Sequence, residues 1–356
     1  MKKNYTCICM AVCLLMSFTI AAQEVVDVAT TGLLNPVGIA KNGNDLFISS
    51  VGNASIQRKD LLDTSSTATT EYIQPVNFPT FIAFNGNDLY IPLLGTTDNK
   101  VVKIDVTDPN AVLTDVVTNI TTPMGLAFRN NELYISLRQE AKVIKVDVTQ
   151  NNPTPVDVVT LIPGGLVNGI AFRGDELYIT HGNSISKVNV TDSTPVLAPV
   201  LILEDGIAFI AFHGDFMYFT QSSINTVARV DITQSIFTID NFLVLEDDPW
   251  GLLVDGNDLY IAQQFGGSVV RFDLTTLLSV NEASARKFTY YPNPTKDYLH
   301  IAGLENNTPF TLTDQHGKEI IKGRVNASDK IDLSAVANGI YFLRLNNYEI
   351  KKIVKY

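Results

Sequence analysis

Apolar and polar positions along most of this chain fall into one phrase that repeats six times: a short apolar strand, a polar turn, then Leu-aromatic-Ile or its equivalent. The copies are Asn44-Asp45-Leu46-Phe47-Ile48, Asn87-Asp88-Leu89-Tyr90-Ile91, Asn131-Glu132-Leu133-Tyr134-Ile135, Asp175-Glu176-Leu177-Tyr178-Ile179, Asp215-Phe216-Met217-Tyr218-Phe219 and Asn257-Asp258-Leu259-Tyr260-Ile261. The aromatic therefore recurs at residues 47, 90, 134, 178, 218 and 260. Each repeat holds four strand-like runs. In the third they are Leu126-Ala127-Phe128, Leu133-Tyr134-Ile135, Val143-Ile144-Lys145-Val146 and Val156-Asp157-Val158-Val159. Period-two alternation, β-branched residues and Gly, Asn and Asp separators predict strands joined by tight turns. Four strands in roughly forty residues, repeated without helices, predict an all-β chain with a six-bladed β-propeller over residues 23–278.

The pattern also predicts how the ring closes. Val25-Val26-Asp27-Val28-Ala29 resembles the outer strands of the repeats yet precedes the first one, whereas the last repeat stops after its third strand near Leu274. The N-terminal strand is expected to complete the last blade and leave no open edge. The turn residues Asn44, Asp45, Asn87, Asp88, Asp175 and Glu176 suit tight hairpins. Asp105-Val106-Thr107 and its echoes at Asp147, Asn189, Asp231 and Asp273 suit side-chain caps at strand exits. Both sets read as structural.

Outside the repeats the composition changes twice. Met1-Lys2-Lys3, an apolar run from Ile8 to Ile20 and Ala21-Ala22-Gln23 read as a signal peptide over residues 1–22, too short and wrongly flanked for a transmembrane segment. All three cysteines lie within it, so the mature chain is expected to have no disulfide and no Cys-ligated metal. The formal net charge is −11, although the C-terminal segment is basic and ends in Lys351, Lys352 and Lys355. The acidic charge thus belongs to the repeats. That argues against nucleic acid and anionic membrane as partners. Residues 279–287 read as a polar linker, and residues 288–356 as short alternating strands with Gly turns, a small Ig-like β-sandwich.

Two resemblances add to this reading. Pro36-Val37-Gly38, Pro123-Met124-Gly125 and Pro249-Trp250-Gly251 precede innermost strands, and Asn53, Asn99, Asn183 and Asn225 precede third strands. With the Leu-Tyr-Ile strand, residues 23 to 280 resemble NHL-type repeats and the six-bladed strictosidine-synthase-like and gluconolactonase-like (SMP-30) propellers. The resemblance specifies a fold that hosts both enzymes and binding modules. The order Tyr291-Pro292-Asn293-Pro294, Gly317-Lys318, Gly339-Ile340-Tyr341 and Lys351-Lys352 resembles the type A sorting domain of the type IX secretion system of Bacteroidetes. It implies a secreted or outer-membrane surface-attached protein. Its implied partners are the type IX machinery, met through the terminal lysines, and a sortase-like protease that removes the module.

Position in the repeat places the candidate ligand site over the central channel. Asn168, Asp248 and Trp250 stand before inner strands, while Arg138, His181, Gln221 and Gln263 follow second strands. The gluconolactonase resemblance implies calcium as the one cofactor, with Asn168 and Asp248 as two of its ligands. No Glu occupies the matching place in the first blade, where Asn35-Pro36-Val37 stands. No nucleophile elbow, metalloprotease motif or phosphate loop is present. His213 reads as a solvated turn residue. The expectation is a propeller that binds a small ligand, glycan or protein. The alternative is a calcium-dependent lactonase or esterase working at the channel mouth.

Overall fold

The computed structural model describes residues 25–95, 99–161, 165–276, 289–302, 308–314, 318–326, 330–345 and 351–356. The signal peptide, the linker and Gly317 of the sorting motif lie outside the described residues. The chain divides into two compact units, residues 1–273 and 274–356.

Six four-stranded antiparallel sheets make the first unit, one per repeat. In blade 3 the strands run Pro123–Arg129, Glu132–Leu137, Lys142–Asp147 and Val156–Thr160, in spatial order. Blade 6 supplies only Pro249–Asp255, Asp258–Gln263 and Ser268–Asp273 in sequence, and Val25–Ala29 adds its fourth strand, with Val25 opposite Phe272. The ring is closed as the strand pattern predicts, and Val28 and Ala29 are buried by it.

The repeated aromatic explains the period. Phe47, Tyr90, Tyr134, Tyr178, Tyr218 and Tyr260 are all buried. In four blades its ring meets, edge-on, a Phe from the inner strand of the next blade: Phe47 with Phe84 at 5.3 Å, Tyr90 with Phe128 at 4.8 Å, Tyr134 with Phe172 at 4.9 Å and Tyr178 with Phe212 at 4.9 Å. Each such pair adds about 0.5–1.5 kcal/mol beyond the area it buries. The repeat thus carries its own blade-to-blade contact.

The turn acids have a structural partner. Asp45 pairs with Arg58, Asp88 with Lys103, Glu132 with Lys145, Glu176 with Lys187 and Asp258 with Arg271, each linking the second strand to the third. At the strand exits, Asp105, Asp147, Asn189 and Asp231 each accept both the N–H and the hydroxyl of the Thr two residues on. These side chains are occupied by the fold.

In the second unit, one sheet pairs Thr289–Tyr291, Tyr298–Ala302 and Lys330–Asp332. The other orders Glu319–Val325, Thr308–Thr313, Gly339–Leu345 and Lys351–Lys355. Leu299, Ile301, Phe310, Leu312, Leu343 and Ile353 share one core, which makes a β-sandwich. Lys352 is exposed, but Lys355 is buried, with its ammonium on the Lys296 carbonyl. The terminal lysines are therefore not one solvent-facing cluster.

Candidate functional site

The inner strands converge on the axis, and their third residues decide what fills it. Gly38, Gly125, Gly169 and Gly251 stand there in four blades. A Cβ would lie 2.5 Å from the Thr80 carbonyl at Gly38 and 2.1 Å from the Val37 carbonyl at Gly251. Glycine is what lets neighbouring strands approach so closely. Blades 2 and 5 carry Phe81 and Phe209 instead. These blades are opposite one another, so rings that meet at 4.5 Å must cross the axis. Trp250 stacks on Phe81 at 6.3 Å, and Val37, Met124 and Val51 complete the cluster. An aromatic plug thus closes the channel at the end where the inner strands begin. Beyond it, a channel of about 380 Å³ runs between inner-strand residues such as Ile39, Ile82, Leu126, Ile170 and Leu252.

Buried hydroxyls hold this end together. Ser49 accepts the Gly38 N–H at 2.7 Å and donates to the Thr80 carbonyl of the next blade at 2.7 Å. Ser136 does the same between Gly125 and Asn168, Thr180 between Gly169 and Ala208, and Thr220 between Phe209 and Trp250. In blade 2 the matching residue is Pro92, and the Thr80 hydroxyl itself reaches the Met124 carbonyl at 2.8 Å. Neither the clasp nor the plug belongs to the recurring phrase. Aligning the copies would have shown them, as Phe against Gly at one place and Ser or Thr at another.

Around the plug, the candidate residues divide into two groups. Asp248 and Gln263 are internal. Asp248 accepts the Phe265 N–H at 2.8 Å and the Trp250 indole N–H at 3.1 Å. Gln263 accepts the Ser268 hydroxyl at 3.0 Å, with its amide toward the Asp247 carbonyl. Their polar atoms are engaged with the blade 6 loop and the Trp250 ring.

The other group lies on blades 3 to 5. The Arg138 N–H donates to the Thr122 carbonyl, as the Val51 N–H of blade 1 does to Asn35, which gives the two side chains equivalent positions at the mouth. The Arg138 carbonyl accepts the Val167 N–H at 3.2 Å, so its stem starts beside Asn168. Burial lowers the guanidinium's affinity for its proton, and no carboxylate pairs with it among the described residues. Asn168 donates to the Ile207 carbonyl at 3.3 Å, but its Oδ1 is buried without a partner. Gln221 is 5% exposed, and its Oε1 is likewise buried and unpartnered. His181 Nε2 meets the Ser186 hydroxyl at 2.9 Å, and burial holds its pKa below the ordinary histidine value. Gly182, which follows His181, takes a positive φ at an exposed turn. His213 sits in the first turn of blade 5, opposite Phe216.

Calcium needs several oxygen ligands converging on one point, and the donors present do not fit it. Both carboxylate oxygens of Asp248 are engaged, and the places matching Asn168 in the other blades hold Val37, Thr80, Met124, Ala208 and Trp250. Among the described residues no three acidic, His or Cys side chains gather as a metal site.

Residues 289–356 match the family of secretion system C-terminal sorting domains. No curated protein matches the chain. Among solved structures, a gluconolactonase from Xanthomonas campestris aligns with a TM-score of 0.58 and 11% identity, over 70% of this chain and 89% of that one. The PQQ-bound aldose sugar dehydrogenase of Streptomyces coelicolor aligns at 0.56 and 17% identity, over 70% and 98%. A chain of a nidogen/laminin complex aligns at 0.54 and 16%, over 65% and 89%. At these identities the likeness is one of fold, the six-bladed propeller. The chain carries a type IX sorting domain and is marked by it for export. Among the described residues no helix is long and apolar enough to cross a membrane.

Proposed function

From a six-bladed propeller joined to a secretion-system sorting domain, we propose an exported binding module: the sorting domain delivers the propeller to the cell surface or the medium, and the propeller holds a ligand at its channel mouth. The processing envisaged is removal of residues 1–22 on export and of residues 288–356 by a sortase-like protease, leaving residues 23–278 with their linker as the working part.

One observation carries the binding reading. Asn168 Oδ1 and Gln221 Oε1 are buried without partners on neighbouring blades at the mouth, beside the unpaired guanidinium of Arg138. A buried acceptor left unpaired costs about 1–3 kcal/mol, and a ligand that donates to it recovers that cost. Each such group in a folded protein calls for an explanation, and a ligand that completes the site accounts for two of them on neighbouring blades at once. The donor set supports this reading over hydrolysis, because the one hydroxyl paired with an imidazole, Ser186 with His181, is itself buried, and no three acidic, His or Cys side chains gather as a metal site among the described residues.

The test has two arms. Deleting residues 289–356 should leave the propeller inside the cell envelope, whereas the full chain reaches the surface or the medium. The exported protein, screened by thermal shift against sugars, organic acids and peptides, should rise in melting temperature with one class, and Asn168→Ala with Gln221→Ala should abolish the rise. A screen without any rise defeats the binding reading. Heparin and DNA should give none, given the acidic body.

A further inference from the structure

We propose that the mouth of the propeller takes the terminal residue of an acidic glycan, a single hexuronate-type sugar, with its carboxylate on Arg138, its hydroxyls on Asn168 Oδ1 and Gln221 Oε1 and one ring face on Trp250. This rests on the reading of the mouth as the ligand site and names what that site selects.

Four observations point to this class. First, Arg138 offers an unpaired, half-buried guanidinium, and its planar fork matches a carboxylate in two parallel hydrogen bonds. Second, both orphan atoms are acceptors. They require a ligand that also donates, which hydroxyls do and a sulfate or fully ionised phosphate group does not. Third, Trp250 is partly exposed while its N–H is committed to Asp248. It can offer a face but not a hydrogen bond, and the apolar C–H face of a pyranose is suited to such a ring. Fourth, the rings of Phe81, Phe209 and Trp250 close the floor. A ligand must enter end-first, so a chain end fits and a chain interior does not.

Charge narrows the class further. The loops leading into blades 5 and 6 carry Glu204, Asp205, Glu246 and Asp247, and no second unpaired cation accompanies Arg138 among the residues assigned to the mouth. A polyanion would be repelled over this face. One carboxylate set directly against the fork is accommodated.

The experiment is calorimetric titration of the exported full chain with methyl glucuronoside and methyl galacturonoside, each beside its carboxyl methyl ester and the matching neutral glycoside. Benzoate and a short peptide with a free C-terminus test the other carboxylates. One uronoside should bind, and its ester and neutral partner should bind at least about tenfold more weakly, the scale of a lost charge-assisted pair. Arg138→Gln should lose the same factor with an unchanged melting temperature, and Arg138→Lys should recover part of it. Equal binding of ester and acid overturns the proposal, as does tighter binding of benzoate or peptide, yet in both cases the mouth remains a ligand site. If nothing binds and Asn168→Leu or Gln221→Leu merely raises the melting temperature, the orphan acceptors are internal flaws and the binding reading fails with the proposal.

Discussion

Asn293 and Val354 join the two ends of the sorting motif: the Asn293 Oδ1 accepts the Val354 N–H at 2.8 Å, and its Nδ2 donates to the Lys352 carbonyl at 2.9 Å. The side chain acts as a short length of strand backbone against the last strand. The Thr295 N–H continues the pairing to the Val354 carbonyl at 2.8 Å. The Tyr-Pro-Asn-Pro turn and the terminal lysine strand, far apart in sequence, are therefore one structural element. Asn293→Ala should cost the second unit about 1–2 kcal/mol, two exposed hydrogen bonds at the low end of their range. Lys352→Ala should cost almost nothing, because Lys352 contributes its carbonyl. Limited proteolysis of the full chain, following fragments from residues 289–356, should show faster cleavage for the first variant only.

The buried hydroxyl clasps should matter far more than their size suggests. Ser136→Ala removes an acceptor from the Gly125 N–H and a donor from the Asn168 carbonyl, both at a buried position. Leaving buried groups unpaired costs about 1–3 kcal/mol each. Thr180→Val should behave alike while keeping the volume, which separates lost hydrogen bonds from a lost contact. Urea unfolding should show a lower midpoint at an unchanged slope. Thr107→Val, at an exposed strand exit, should move the midpoint by well under half as much.

Much of this was legible in the sequence because repetition averages out local ambiguity. Six copies of one phrase fix the strand alternation, and the orphan strand Val25–Ala29 fixes the closure. The turn acids were legible as structural, although their partners were not: Lys103, Lys145 and Lys187 lie on the third strand and meet Asp88, Glu132 and Glu176 only through strand pairing. The mouth was legible as a place but not in its content. Repeat position named Arg138, Asn168 and Gln221 together with Asp248 and Gln263, and only the folded arrangement shows that the last two spend their polar atoms on Trp250, Phe265 and Ser268. The plug was hidden because attention to what recurs passes over the two blades where Phe replaces Gly.

Acid and alkali should attack different parts of the propeller. The carboxyls of Asp105, Asp147 and Asp231 are held below their ordinary range, first by the hydroxyls and then by the N–H groups of Thr107, Thr149 and Thr233. A carboxyl lowered in the folded state adds stability above its unfolded pKa of about 4 and loses it as pH falls through the folded value. Tyr90, Tyr134, Tyr178, Tyr218 and Tyr260 are raised, chiefly by burial. Their contribution is complete below about pH 10 and fades as pH rises through the folded values. Circular dichroism against pH should show both limits. Changing Thr107, Thr149 and Thr233 together to Val should lower stability at every pH above about 4, drawing the alkaline limit down as well, and should make the acid limb less steep.

The junction of blades 6 and 1 should be the most sensitive to added volume. Ala262 stands there where blades 1, 3, 4 and 5 carry the clasping Ser or Thr, so the inner strands are joined by close approach and by the Lys41–Asp255 ion pair near their far ends, with Val25–Ala29 tying the same blade at its outer edge. At Gly251 an added Cβ would lie 2.1 Å from the Val37 carbonyl and 3.2 Å from its carbon. Both are backbone atoms, which cannot swing aside as a flexible side chain would. Gly251→Ala should therefore force the strands apart and destabilise the propeller by at least about 1–3 kcal/mol, the usual range for overpacking. Gly256→Ala is the control. Its φ of +59° penalises any side chain, but the added Cβ would meet nothing within 4 Å, so its cost should be about 1–2 kcal/mol from conformation alone. Urea midpoints of the two variants decide the matter. A larger loss at residue 251 confirms that the axis is packed backbone to backbone, and equal losses would mean that the inner strands have slack at the point where the ring is closed.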